Sequence, residues 1–360
     1  MSDDAGGGGR DSWKKRRRRM RKRRMRQQRR RREELLAQEK IPKRRRRRRK
    51  RERNLPKPPA PFVIGMTRSG TTLLRLMLDS HPELTIPPET HFVPDVIKAF
   101  NEGRDSPAEV AQVMTEGRRW GDFGISARRF RRELERLRPL MKPRVPLRAF
   151  YRMYAKKQGK QRWGDKTPGY ATKMRRIKRI LPEARFIHVI RDGRDVALSL
   201  RDREVGLSTE QIARRWRHRI NNTRRAAEDV PDYLEIRYED LVAEPEATLR
   251  RICAHIELDY SPKMLEYHER AEKRLREISK PLAEEEDKRA LSADSRVEAH
   301  ALTSQPPRTD RTARWRTAMS AADIALFEEH AGELLAELGY ETAASRGWEI
   351  SRSRFAARSW

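Results

Sequence analysis

Cysteine is nearly missing from this chain. Cys253 is the only one in 360 residues. One thiol excludes an intrachain disulfide and any zinc site built from paired cysteines. No apolar run approaches the roughly 20 residues that a membrane-spanning helix needs, and the N-terminus lacks the apolar region of a secretory signal. The cytoplasm is therefore the expected compartment. No internal repeat is visible, and no His, Cys or carboxylate spacing suggests a metal site. Acidic residues are also under-represented, with 53 Asp and Glu against 85 Lys and Arg, a formal charge of +32.

That excess is concentrated at one end. Residues 1–57 hold 28 Lys and Arg against 7 Asp and Glu, a surplus of +21, and include the runs Arg16–Arg19, Arg29–Arg32 and Arg44–Arg49. Like charges at this density repel, and little apolar surface is available for a core, so a disordered tail is expected. Such a tail suits non-specific contact with a polyanion. Pro56, Pro58, Pro59 and Pro61 make a stiff linker, and the residues beyond it suffice for one large domain. The expected organisation is a tail over 1–57, an α/β domain over 58–345 and a short tail over 346–360.

The domain is organised around Pro61–Ser80. Phe62, Val63 and Ile64 suit a buried strand, and Leu73, Leu74, Leu76, Met77 and Leu78 recur at helical spacing. Between them lies Gly65-Met66-Thr67-Arg68-Ser69-Gly70-Thr71-Thr72, whose two glycines are spaced as in a phosphate-binding P-loop. Glycine lets backbone N–H groups approach phosphate oxygens, and the helix start adds partial positive charge. Nucleoside-triphosphatases place Lys where this chain has Thr71, so the group that serves β- and γ-phosphates is missing.

Further along, Leu84–Ile86 reads as a strand leading to Glu89, and residues 93–160 read as mostly helical. Thr167 and Pro168 have the signature of an N-cap and first helical residue, heading a helix to about Leu181. Arg185–Ile190 is apolar enough for a central strand, with Arg191-Asp192-Gly193-Arg194 at its end and Ser199 on the helix that follows. A third strand, Tyr233–Asp240, again ends in polar groups, Tyr238-Glu239-Asp240, before the next helix. Pro245 and Ser261-Pro262 open further helices, the second running to about Lys280. Residues 281–314 read as a mobile flap. Ser320 and Asp323 cap the last helix, with Gly339 at its stop. Alternating strands and helices predict a P-loop-type parallel sheet flanked by helices on both faces.

Arg68–Thr72, Arg191–Arg194 with Ser199, and Tyr238–Leu241 together resemble the sulfotransferases, enzymes that use 3′-phosphoadenosine 5′-phosphosulfate (PAPS). The local likeness runs to the tyrosylprotein and carbohydrate branches, which carry a similar RSGTTL loop, a helix ending in His-Pro, and a Glu-Thr step such as Glu89-Thr90. It covers roughly residues 61–260 and leaves the arginine tail outside. The resemblance accounts for the missing Lys, because PAPS has no β/γ chain.

The resemblance implies that Arg68, Ser69, Gly70, Thr71 and Thr72 cradle the 5′-phosphosulfate, that Arg191 and Ser199 hold the 3′-phosphate, and that Tyr238 lies near the adenine. It also implies Glu89 as the general base and Arg68 with Lys166 as stabilisers of the leaving group, without a metal. Taken alone, Glu89 reads better as a solvated loop carboxylate than as a base, and Lys166 reads equally well as a surface lysine at a helix entry. His91 and His81 are rival bases, and His188 reads as a core residue. Arg308, Arg311 and Arg314 precede Trp315 where family members close a segment over the nucleotide, but this chain departs from the common pattern and they are not assigned to the site. The acceptor is a hydroxyl or amine of a glycan, lipid headgroup, small molecule or peptide tyrosine. Two alternatives compete: a nucleic-acid or polyanion-binding protein with a vestigial P-loop, and a P-loop kinase of a small hydroxylated substrate.

Overall fold

The computed structural model describes residues 57–202, 206–278 and 304–343. The N-terminal arginine runs, most of the 281–314 flap, the end of the helix expected to reach Lys280 and the C-terminal tail lie outside them. The chain divides into two units, Met1–Lys57 with Arg136–Met141, and Pro58–Glu135 with Lys142–Trp360. Of the first, the described residues include one 3₁₀ turn, Arg138–Leu140.

The second unit starts with β1 (Ala60–Gly65) and α1 (Thr71–Ser80), then β2 (Leu84–Thr85). Helices α2 (Val93–Asn101), α3 (Pro107–Thr115), α4 (Ala127–Arg136) and α5 (Arg144–Lys157) fill the region expected to be helical. Next come β3 (Arg162–Trp163), β4 (Asp165–Lys166), α6 (Met174–Ile180), β5 (Ala184–Ile190), α7 (Gly193–Arg201) and α8 (Thr209–Ala227). The described chain continues with β6 (Tyr233–Arg237), α9 (Tyr238–Ala243), α10 (Pro245–His255), α11 (Tyr267–Leu275), α12 (Trp315–Ala318) and α13 (Ala321–Glu337).

Four strands form one parallel sheet in the order β4-β1-β5-β6. β1 and β5 are central, which explains their near-continuous apolar sequences. Side chains alternate across the sheet. Val63, Ile187, Val189 and Ile236 pack beneath α1, α9, α10 and α11. Ile190 lies with Met66 against α7, α8 and α13, whose Trp216 and Phe327 are buried. Helices thus cover both faces, as the alternating pattern predicts.

Three expectations need correction. β2 does not join the main sheet but pairs with β3 in a separate parallel ladder. Thr167 makes no side-chain cap; its hydroxyl accepts the Thr90 N–H at 3.0 Å instead. With that hydroxyl diverted, the chain enters a 3₁₀ turn over Pro168–Lys173 before α6 begins. Tyr238 is not the end of a strand but the first residue of α9.

Candidate nucleotide and acceptor site

The loop between β1 and α1 is shaped by left-handed backbone. Gly65 (φ 154°), Arg68 (φ 73°) and Gly70 (φ 88°) all have positive φ. At Gly65 a Cβ would stand 2.6 Å from the Val189 carbonyl oxygen, so only glycine lets the loop lie against β5. At Gly70 a Cβ would run into the Tyr238 ring. Ser69 and Thr71 are buried, and the Ser69 N–H donates to the Met66 carbonyl at 3.2 Å. Parallel sheets present their loops at the carboxyl ends of the strands, where ligands of this fold class bind. β5 and β6 bring Arg191 and Tyr238 to that same edge.

Arg191 is 7% exposed. Its Nη1 donates to the Arg68 carbonyl at 3.0 Å, and its Nη2 to the Arg311 carbonyl at 2.6 Å. Its guanidinium lies 4.5 Å from the centre of the Tyr238 ring. From α7, Ser199 accepts Arg68 Nε at 2.9 Å. Arg68, Gly70, Arg191, Ser199 and Tyr238 therefore meet at one place. Arg191 Nε and Arg311 Nε are both buried with no hydrogen-bond partner among the described residues. Buried, unsatisfied guanidinium donors are unfavourable unless an anion accepts from them. This corner thus fits a phosphate. Arg311, set aside on sequence grounds, belongs to it through its carbonyl and through that donor.

Arg194, three residues along the same motif, has a different task. It is fully buried, bonded to Asp192 and Glu328, and its guanidinium lies 3.5 Å from the centre of the Trp315 ring. It ties α7 to α12 and α13 and points away from the loop residues.

A second cluster lies beside Thr72. Lys166, on β4 and only 4% exposed, donates to Glu89 Oε1 at 2.7 Å and lies 3.4 Å from Thr72 Oγ1. β4 is only two residues long and carries no local pattern, so the reading of Lys166 as a surface lysine fails for want of a tertiary signal. Glu89 (side chain 21% exposed) is bonded through Oε2 to His91 Nε2 at 2.9 Å, and Arg119 Nη1 lies 3.5 Å away. Arg119 lies in a loop with no motif and was not anticipated. Burial pushes the Glu89 carboxyl up, but Lys166, the His91 hydrogen bond and Arg119 outweigh it and hold the group well below the usual carboxylate range. Burial draws the Lys166 ammonium below its ordinary value, with Glu89 opposing.

Thr90 anchors the loop that carries Glu89. Its hydroxyl donates to the buried Asp165 at 2.8 Å, and Tyr151 donates to the same oxygen at 2.9 Å. The two other histidines are accounted for. His81 is buried, with Nε2 at 2.9 Å from the Asp259 carbonyl and Nδ1 accepting from the Glu83 N–H. His188 is buried against Tyr233, 2.6 Å away. Neither reaches Glu89 or the loop, which leaves His91 as the histidine in contact with the candidate base.

Comparison with known proteins follows this geometry. The sulfotransferase family model matches residues 59–262. Protein-tyrosine sulfotransferase A of Caenorhabditis elegans is 27% identical over 216 residues, covering 58% of this chain and 52% of that protein. Nodulation protein NoeE of Sinorhizobium fredii is 31% identical over 147 residues, 41% of this chain and 32% of that one. The chain spans about half the length of the first of these relatives. Among solved structures, the sulfotransferase domain from the curacin biosynthetic pathway overlays with a TM-score of 0.49 at 19% identity, covering 80% of this chain and 100% of that one.

Proposed function

The chain belongs to the sulfotransferase family, and from that premise we propose that it moves a sulfuryl group from PAPS to an acceptor hydroxyl or amine. The β1–α1 loop, Arg68 to Thr72, holds the 5′-phosphosulfate end through backbone N–H groups and the Arg68 guanidinium. Arg191, Ser199 and the free Nε of Arg311 hold the 3′-phosphate. Tyr238, packed against Gly70 and Arg191, borders the adenine. PAPS supplies an activated sulfuryl group and a leaving phosphate.

Glu89 takes the acceptor proton as the new bond to sulfur forms, and the electron pair of the broken S–O bond stays on the phosphate oxygen. A carboxylate held by two cations and a histidine hydrogen bond is a poor base. Lys166 resolves this. Placed between Glu89 and Thr72, it turns from the carboxylate toward the charge growing on the leaving oxygen. That motion strengthens the base and stabilises the leaving group together, by the positioned electrostatics that dominate group transfers of this kind. The observation that carries the reading is convergence: the Arg191–Arg68–Ser199 contacts and the Glu89–Lys166–Thr72 contacts meet on one eight-residue loop, Gly65–Thr72.

Because relatives are named protein-tyrosine sulfotransferases, a peptide tyrosine is the first acceptor to try, followed by glycans, lipid headgroups and small hydroxylated molecules. The test is incorporation of label from sulfur-labelled PAPS by wild type and by Glu89→Gln. Loss of a general base removes roughly 10²–10⁴ in rate. The variant should lose turnover on that scale yet keep the melting shift given by PAP, the desulfated product. Turnover within a few-fold of wild type would remove Glu89 as the base.

A further inference from the structure

Helix α8 carries a second basic surface that the sulfuryl-transfer reading does not use. Ile212, Trp216, Ile220 and Ala227 bury one side of the helix. The outward side, from Arg214 to Arg225, lines an open depression of about 650 Å³ whose other walls are Arg215, Arg217, His218, Asn221 and Asn222. No carboxylate and no apolar side chain lines it.

Three of the four arginines that line it have no side-chain partner among the described residues. On α10, Arg250 reaches Glu246 one turn earlier, and just beyond α11 Arg276 reaches Glu272. On α8 only Arg214 does so, bonding Glu210 at 2.8 Å. The guanidinium groups of Arg215, Arg217 and Arg225 make no hydrogen bond or ion pair among the described residues. Burial and the neighbouring charge of Arg215 both lower the pKa of Arg219, on the same helix. Uncompensated like charge along one face disfavours the free protein and favours an anionic partner.

The lining selects the class of partner. A bilayer or a protein interface calls for apolar or aromatic anchors, and this surface offers none. Arginine planes alternating with His218, Asn221 and Asn222 match a single strand, in which phosphates meet guanidinium forks while unstacked bases meet amide and ring edges. At about 1.5 Å rise per residue, Arg214 to Arg225 spans about 16 Å, enough for several nucleotides. We propose that the outward face of α8 binds single-stranded RNA at a site separate from the nucleotide pocket. This inference does not depend on the sulfuryl-transfer reading.

The test uses the full chain with Arg215, Arg217 and Arg225 changed to Glu, and a short fluorescein-labelled single-stranded RNA of mixed sequence. The 28 Lys and Arg of residues 1–57 add phosphate contacts equally in both proteins, so the reading is the difference between them. Three lost phosphate contacts should reduce the slope of log affinity against log salt by about 2, and affinity near physiological salt by at least about tenfold. Ultraviolet crosslinks to residues 214–225 should vanish, while the PAP melting shift stays at the wild-type value. Equal affinity and slope in the two proteins would overturn the proposal. So would equal competition by duplex DNA, by polyglutamate or by phosphatidylserine vesicles at matched charge.

Discussion

In the proposed mechanism, Lys166 and Glu89 are the residues where the chemistry is most sensitive. With Lys166 in place, the Glu89 carboxyl lies well below the usual range although burial pushes it upward. Lys166→Gln removes the nearest cation, so burial should raise the Glu89 pKa. The acid limb of the pH–rate profile should move to higher pH, and turnover should fall at least about a hundredfold. A limb that stays in place would separate Lys166 from the base. Gly70→Ala is the corresponding backbone test. It forces a Cβ into the Tyr238 ring at φ 88°, which should cost about 1–3 kcal/mol of stability and weaken PAP binding; an unchanged melting temperature would contradict the packing described. The glycine-bracketed loop and the strand-end position of Arg191 were legible because glycine spacing and an apolar run are local signals. Arg119 and Arg311 were not, because each reaches the site from a segment distant in sequence and without periodicity.

Elements with a period could be read directly, and elements without one could not. β1, β5 and the Ser320-capped α13 follow from apolar runs and cap chemistry, and Gly339 (φ 74°) closes α13 as expected. β2 was read as a strand but its partner was not, and the two-residue strands β3 and β4 are too short to show alternation, so tertiary pairing alone defines them. The same distance effect hides how α1 is held. Its Asp79 accepts from Thr85 Oγ1 at 2.7 Å and from the Ile86 N–H at 2.8 Å, and pairs with Arg274 of α11 at 2.7 Å. Arg75 and Arg274 also donate to the Ile86 carbonyl, three residues before Glu89. This network sets the register of the loop that carries Glu89, the proposed base. Burial raises the Asp79 pKa, but Arg274, Arg75 and the two hydrogen bonds more than offset it, and the net shift is downward. Its contribution to stability is therefore present above the unfolded value and lost as pH falls through the lower folded one. Arg274→Met should destabilise the protein by roughly 3–5 kcal/mol. Burial then dominates at Asp79, so the deficit in melting temperature should shrink from pH 7 toward pH 4. A deficit independent of pH would show that Arg274 acts by packing alone.

At the scale of the whole molecule, one sheet with helices on both faces sets the position of every group discussed, and its edge at the ends of β1, β5 and β6 carries the proposed nucleotide site. Global stability should respond to pH through the buried histidines. Burial lowers the His188 pKa against the pull of Glu235. A depressed histidine pKa means that the unfolded chain binds the proton first, so stability falls as pH drops through the unfolded value of about 6.5. His188→Asn should show a flatter dependence of melting temperature on pH between about 5 and 7; an equally steep dependence would move that role to another group. The fold class was legible from strand–helix alternation, whereas the joining of Arg191 and Ser199 to the β1–α1 loop, the pair and the loop proposed to hold the two ends of the nucleotide, required the assembled sheet. That joining is best tested by calorimetric titration of PAP and of adenosine 5′-monophosphate, which lacks the 3′-phosphate, into wild type and Arg191→Ala. Wild type should bind PAP at least about tenfold more tightly, one charge-assisted contact being worth roughly 1.5–3 kcal/mol, and the preference should disappear in the variant. Equal affinity of wild type for the two nucleotides would contradict the account.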